Sequence, residues 1–243
     1  MNRMRARLAA MMLLFASAPG AAGQPQVAII IDDLGYQLEA GRRAIGLPGP
    51  VTFAVLPGTP RAAALAEWAH ERGKEVLLHL PLQANSDDKG DEPIGIDLDM
   101  SRETLASTFD MALGSVPYVV GINGHRGSLL TRHPGHMLWL MEEIRARNDL
   151  FFVDSYTTVH SVALQMASEA GVSAVRRDIF LDPDQSPGTV VLQFERMKRL
   201  ARKRGFVVAI GHPYRSTLEL LERELPKLRE QGIELVTISE LVK

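Results

Sequence analysis

Cysteine is absent from all 243 residues. That excludes a disulfide framework and the acylated cysteine of a lipid anchor. Long apolar runs are missing beyond the first two dozen residues, so no later stretch approaches the length of a membrane span. No basic tract of the kind that binds nucleic acid occurs, and no internal repeat or low-complexity segment. Several compact catalytic signatures are missing too: His-Glu-x-x-His, Gly-x-Ser-x-Gly, and the glycine patterns of dinucleotide and phosphate-loop sites. Any chemistry must be assembled from residues far apart in the chain.

The N-terminus reads as a secretory signal. Arg3, Arg5 and Arg7 precede an apolar stretch from Leu8 to Ala18, which is too short to span a bilayer. Ala21-Ala22-Gly23 supplies small residues before a cut at Gln24, and a retained interfacial anchor is the alternative reading. Residues 1–23 are therefore expected to be removed, with 24–243 forming one exported, periplasmic domain that keeps no stable membrane span. A domain of this size can rest on its core without disulfides. The whole chain has 27 Lys and Arg against 29 Asp and Glu, a net charge of −2; losing three arginines makes it 24 − 29 = −5. That mildly acidic balance also argues against a nucleic-acid partner.

From Gln24 onward strand and helix signals alternate. Apolar, mostly β-branched or aromatic runs predict strands near 27–32, 51–57, 75–82, 119–123, 150–154, 174–180, 206–211 and 234–238. Helical patterns fit 37–46, 60–72, 101–114, 135–147, 158–170, 189–204 and 215–231. Such alternation implies a mostly parallel sheet with helices outside, hence an α/β barrel. The one long irregular stretch, Gln83 to Met100, follows a strand and is expected to be a loop on the functional face.

Chemistry-bearing residues recur where these apolar runs stop, and parallel α/β folds bind ligands at that end of the sheet. Asp32 and Asp33 end the first run, His79 the third, and Asn123 and His125 the fourth. Asp154 and Ser155 end the fifth, and His212 follows Gly211 after the seventh. An Asp pair can be only a turn and helix cap. At a strand end, though, one carboxylate can hold a cation while the other handles a proton. His79 and His125 offer neutral imidazoles to the same divalent ion, and one carboxylate with two imidazoles leaves positions open, as a catalytic zinc site requires. His212 suits a general acid. Asn123 either donates to a carbonyl oxygen or shapes a turn; Asp154 and Ser155 either orient a histidine and bind substrate hydroxyls or cap a helix. Tyr36, Tyr156 and Tyr214 lie within four residues of these positions and are candidates to rim a glycan cleft. His70, His133, His136 and His160 read as surface residues.

Together the segments Ile30-Ile31-Asp32-Asp33-Leu34-Gly35, His79-Leu80-Pro81-Leu82, Gly121-Ile122-Asn123-Gly124-His125-Arg126-Gly127-Ser128, Phe152-Val153-Asp154-Ser155 and Ala209-Ile210-Gly211-His212-Pro213 resemble the divergent polysaccharide deacetylase family. The resemblance spans essentially the whole chain after the signal. It implies a distorted (β/α) barrel of about seven parallel strands, Asp32 as base, Asp33 as metal ligand and His212 as general acid. The wider superfamily usually draws both metal histidines from one short helical motif, His-x-x-x-His or near it, whereas residue 129 here is Leu. The pair is therefore expected to be His79 and His125. Arg126 and Arg177 are the candidates for the arginine that supports the base.

Three functions follow as expectations. The first is an exported, metal-dependent hydrolase that removes acetyl groups from an N-acetylated glycan, with zinc as the cofactor. The second is a catalytically silent glycan-binding or cell-envelope interaction protein of the same fold, and the third another metal-dependent amide or ester hydrolase.

Overall fold

The run Val27–Ile31 is buried on both faces, as a strand within a parallel α/β fold must be. The computed structural model describes residues 23–85, 92–147 and 149–242. Apart from Gly23, the expected signal lies outside the described residues. The strands are β1 (Gln26–Leu34), β2 (Thr52–Val55), β3 (Val76–Leu82), β4 (Val119–Arg126), β5 (Phe151–Asp154), β6 (Ala174–Arg176), β7 (Ile179–Phe180), β8 (Phe206–Gly211) and β9 (Glu234–Val236). Between and after them come α1 (Leu38–Ile45), α2 (Ala62–Glu71), α3 (Arg102–Gly114), α4 (Pro134–Ala146), α5 (Ala163–Ala170), α6 (Pro187–Arg204), α7 (Arg215–Glu224) and α8 (Ile238–Leu241).

The strands pair in the order β6-β5-β4-β3-β2-β1-β8-β7, all parallel. The two ends of this path are consecutive in the chain. Arg177 N donates to Asp154 O of β5, and the next residue, Asp178, donates from its N to Val208 O of β8, each at 2.9 Å. Residues 174–180, expected as one strand, are thus split because the chain changes partner between 177 and 178. That step ties the two edges of the sheet together and makes a distorted (β/α) barrel. β9 pairs with the start of β1 on the edge opposite β8, the edge that β2 takes from Ile30 onward.

Alternation along the strands divides the core in two. Val27, Ile29 and Ile31 face the helices, in a cluster with Leu65, Phe109, Met141 and Phe194. Ala28 and Ile30 face inward with Ala54, Leu77, Phe151, Val153, Val208 and Ile210. Ile238 and Val242 also pack into this inner cluster. The interior is narrow, so small residues matter. A Cβ on Gly121 would come within 2.5 Å of the Phe151 ring, so glycine is what lets that ring fill the inside.

Several expected boundaries move; the strand expected over 119–123, for one, runs on to Arg126. The helix expected from 158 begins at Ala163, after a turn in which Ser161 Oγ accepts from Ala163 N at 3.2 Å. The helix expected over 215–231 stops its α-helical part at Glu224, two residues before Pro226, whose missing N–H cannot continue it. The strand expected to reach 238 stops at Val236, because Thr237 and Glu240 form a capping box that opens α8.

Candidate metal centre

The same alternation that fills the barrel with Ala28 and Ile30 points the next inward position, Asp32, into its mouth. On β3 it carries Leu77 to His79, on β4 Gly121 to Asn123 and His125, and on β8 Ile210 to His212. The lower barrel is therefore apolar and its C-terminal mouth polar on the same strand faces. Asp33 breaks the rule, since regular pleating would turn it toward the helices. Its φ of 60° and a register shift between Ile31 and Leu34 swing it back to the mouth. Left-handed backbone at a non-glycine residue costs of order 1 kcal/mol or more and persists where surrounding structure enforces it.

Asp33 Oδ1, His79 Nε2 and His125 Nδ1 form a triangle with sides of 3.1, 3.0 and 3.1 Å. The centre of such a triangle lies about 1.8 Å from each corner, within the reach of zinc–nitrogen and zinc–oxygen bonds of about 2.0–2.2 Å. The outer ring nitrogens are already engaged. His79 Nδ1 donates to Asn123 Oδ1 at 2.9 Å, and His125 Nε2 donates to Glu92 Oε1 at 3.0 Å. In the neutral rings, therefore, the inner nitrogens present lone pairs. Asp33 Oδ1 is buried and makes no well-directed hydrogen bond. Three lone-pair atoms facing one another repel unless a cation or protons stand between them, so this donor set fits a divalent metal ion.

Two groups flank the triangle. Asp32 Oδ2 is 3.6 Å from His79 Nε2, while Asp32 Oδ1 accepts from Asn123 Nδ2 at 2.8 Å. Burial pushes the Asp32 carboxyl above the usual carboxylate range against the pull of His79, His212 and the Asn123 hydrogen bond. On the other flank His212 Nε2 is 3.7 Å from Asp33 Oδ2. Its Nδ1 donates to Asp182 Oδ1 at 2.9 Å, and Asp182 Oδ2 accepts from His212 N and Thr217 Oγ1, both at 2.7 Å. Burial works against the His212 imidazolium, but the Asp182 hydrogen bond and the charges of Asp32 and Asp33 outweigh it and raise its pKa. Asp182 and Glu92 were not among the residues singled out from the sequence.

A profile of the family described as divergent polysaccharide deacetylase matches residues 29–242. The chain belongs to that family. It is 36% identical over 230 residues to the uncharacterized protein YibQ of Escherichia coli strain K12, which covers 95% of this chain and 70% of that one. The crystal structure of the uncharacterized protein ATU2773 from Agrobacterium tumefaciens C58 aligns with a TM-score of 0.86 at 19% identity, covering 93% of this chain and 92% of that one. More distantly, a family 4 acetyl xylan esterase from Clostridium thermocellum in complex with a cobalt ion aligns with a TM-score of 0.51 at 16% identity, covering 89% of each chain.

The remaining sequence candidates take other places in this chain. Asn123 is fully buried, with both ends of its amide engaged by His79 and Asp32. It links the proposed ligand to the proposed base from within the barrel and offers no face to a substrate. Asp154 lies on the helix-facing side of β5, where it accepts from Tyr156 N and Ser161 Oγ, both at 2.8 Å, and so ties down the loop after the strand. Ser155 is buried, and its Oγ makes no hydrogen bond. Tyr214 leans on His212, with ring centroids 5.3 Å apart, Tyr36 is exposed, and Tyr156 is half-buried beneath the Arg176 guanidinium. Of the two arginine candidates, Arg177 is within electrostatic range of Asp32, though its Nε and Nη2 donate to Ser155 O and Tyr156 O at 2.6 and 3.1 Å. Arg126 faces Glu92 instead, at 3.5 Å.

The triangle carries a pH signature. Burial alone would lower the His79 pKa, but Asp32, Asp33 and Asn123 raise it to about 9 in the metal-free protein. A raised folded-state value means that protonated His79 stabilises the metal-free fold below its ordinary pKa, and that this contribution fades as pH climbs through 9. A metal must displace that proton. Zinc affinity is expected to rise by up to about tenfold per pH unit between pH ~7 and ~9, with about one proton released per ion. Calorimetry in buffers of different ionisation enthalpy reads the proton count, and a pH-independent affinity would contradict it.

Proposed function

We propose that this chain is an exported, metal-dependent hydrolase that removes acetyl groups from an N-acetylated glycan. The observation that carries the reading is the pairing around the triangle: a buried carboxylate, Asp32, 3.6 Å away on one flank, and a carboxylate-oriented imidazole, His212, 3.7 Å away on the other. Amide hydrolysis needs one group to take a proton from water and another to give one to the departing nitrogen. Asp33, His79 and His125 would hold a divalent ion, and their nitrogen and oxygen donors suit zinc. That a structurally similar esterase forms a complex with a cobalt ion supports metal dependence. When bound, the ion supplies Lewis acidity toward the acetyl carbonyl and makes nearby water more acidic.

In this scheme Asp32 receives the proton of the attacking water, and its desolvated site suits a base that must hold that proton. Asn123 fixes the direction of its carboxylate. His212 Nε2 gives a proton to the nitrogen as the carbon–nitrogen bond breaks, while Asp182 holds the ring by Nδ1 and shares its positive charge. Tyr36 and Tyr214 offer ring faces and hydroxyls to sugar units, whereas the Tyr156 ring is already covered by the Arg176 guanidinium. The test is acetate release by the purified protein from chitooligosaccharides, peptidoglycan fragments and acetylated xylan, with and without added zinc. Acetate from xylan alone replaces the amide substrate by an ester. Glycan binding with no acetate from any substrate leaves the silent-binder reading in its place.

Export belongs to the same proposal and rests on Arg3, Arg5, Arg7 and the short apolar stretch after them. The mature chain is expected to begin at Gln24 in the envelope fraction. Mass spectrometry of its N-terminus decides this, and an intact Met1 in membranes would make the segment an anchor. Among the described residues no helix is long and apolar enough to cross a membrane.

A further inference from the structure

The two imidazoles of the triangle are held from outside by unlike partners. His79 is fixed by a neutral amide, Asn123, inside the barrel, so its Nε2 faces inward. His125 is fixed by a carboxylate, Glu92, from the loop between β3 and α3, so its Nδ1 faces inward. That loop is tied to the barrel just beyond Glu92. Ile96 N donates to Pro81 O at 2.9 Å, Gln83 N donates to Ile96 O at 3.0 Å, and Leu98 N donates to Gln83 Oε1 at 2.8 Å. Ile96 is buried, which pins the return of the loop against the end of β3.

We propose that Glu92 is a positioning residue that selects Nδ1 of His125 as the metal-binding atom, so that the stretch from Glu92 to Leu98 is tied to the metal centre. The proposal rests on the metal reading of the triangle. A half-turn of the His125 ring would put a carbon where Nδ1 stands and break the bond to Glu92. An ionised carboxylate on the outer nitrogen therefore sets both the flip and the tautomer, and it makes the inner nitrogen a better donor. Arg126 Nη2 lies 3.5 Å from the same Glu92 oxygen, Oε1. An ordinary surface pair would leave both side chains in water, yet those of Glu92 and His125 are only 15% and 16% exposed.

The experiment compares zinc affinity, by competition with a chromogenic chelator, for the wild type, Glu92→Gln and Glu92→Ala. Glu92→Ala is expected to bind zinc about 10–100-fold more weakly, the usual effect of losing such an outer partner. Glu92→Gln should recover part of that loss, because its amide oxygen accepts the same hydrogen bond. Melting temperatures in EDTA should match across the three proteins. Nitrogen-15 spectra of the zinc-loaded wild type should show Nδ1 ligated and Nε2 protonated at His125, a pattern lost in Glu92→Ala. Unchanged affinity with an unchanged His125 pattern in Glu92→Ala overturns the proposal. So does a lowered melting temperature in EDTA with wild-type affinity, which makes Glu92 purely structural. A wild-type protein that takes up no zinc sinks the metal reading beneath it, a separate result.

Discussion

Asp33→Asn is expected to strip the protein of its metal while leaving the fold intact. Asn tolerates the left-handed backbone that residue 33 adopts, so the bulge at the end of β1 survives. What disappears is the only anionic corner of the triangle. Asp33 Oδ1 is buried without a directed hydrogen bond, while the neighbouring imidazoles keep its carboxyl far below the usual range in spite of burial. An amide can supply an oxygen there but no charge. Affinity should therefore fall by more than the roughly 10–100-fold lost with an outer partner, and acetate release should drop to background. Metal analysis after dialysis, beside a circular dichroism melt, checks both halves. A full complement of bound metal in the variant would remove Asp33 from the ligand set.

Asp32→Asn and His212→Ala should give the opposite dissociation, with turnover lost and metal kept. Neither residue is a corner of the triangle, so metal content should match the wild type. Each substitution removes one proton-transfer group, worth roughly 10²–10⁴-fold in kcat. The double variant should be less impaired than the product of the two single effects, because the two groups serve one reaction as a unit. Asp32→Asn carries a second expectation. Burial raises the Asp32 pKa, so its ionised form is disfavoured in the fold, and that cost grows as pH rises above the ordinary carboxylate value. The variant should melt no lower than the wild type near neutrality, as often happens when a functional charge is removed from a buried site. Activity within tenfold of wild type for either single variant would take that residue out of the reaction.

The sequence could reveal this much because the barrel repeats one rule. A buried run that ends in a polar residue is visible without coordinates, and β1, β3, β4 and β8 deliver Asp32, His79, Asn123, His125 and His212 by that rule. Asp182 obeys it too, but it lies two residues past the end of the strand expected over 174–180, with Leu181 between. Glu92 carries no such signal: it is one acid among several in an irregular loop, and only tertiary structure brings it to His125. Nor could pattern reading show how two neighbouring aspartates face one site, since that depends on a backbone turn at Asp33 rather than on residue type. The place of Asp154 follows from parity, because the inward residues of β5 are Phe151 and Val153, which leaves Asp154 on the helix side. Alternation counted from the apolar residues would have shown this.

On three of the four strands that feed the mouth, the last inward-facing apolar residue and the first polar one are separated by a single step of the pleat: Ile30 and Asp32, Leu77 and His79, Ile210 and His212. Selection for folding and selection for chemistry therefore act on adjacent, separable positions. A lineage that exchanges its mouth residues keeps the floor beneath them, and so keeps a cleft ready for a new ligand. Loss of catalysis along such a lineage leaves behind a stable receptor rather than a collapsed enzyme.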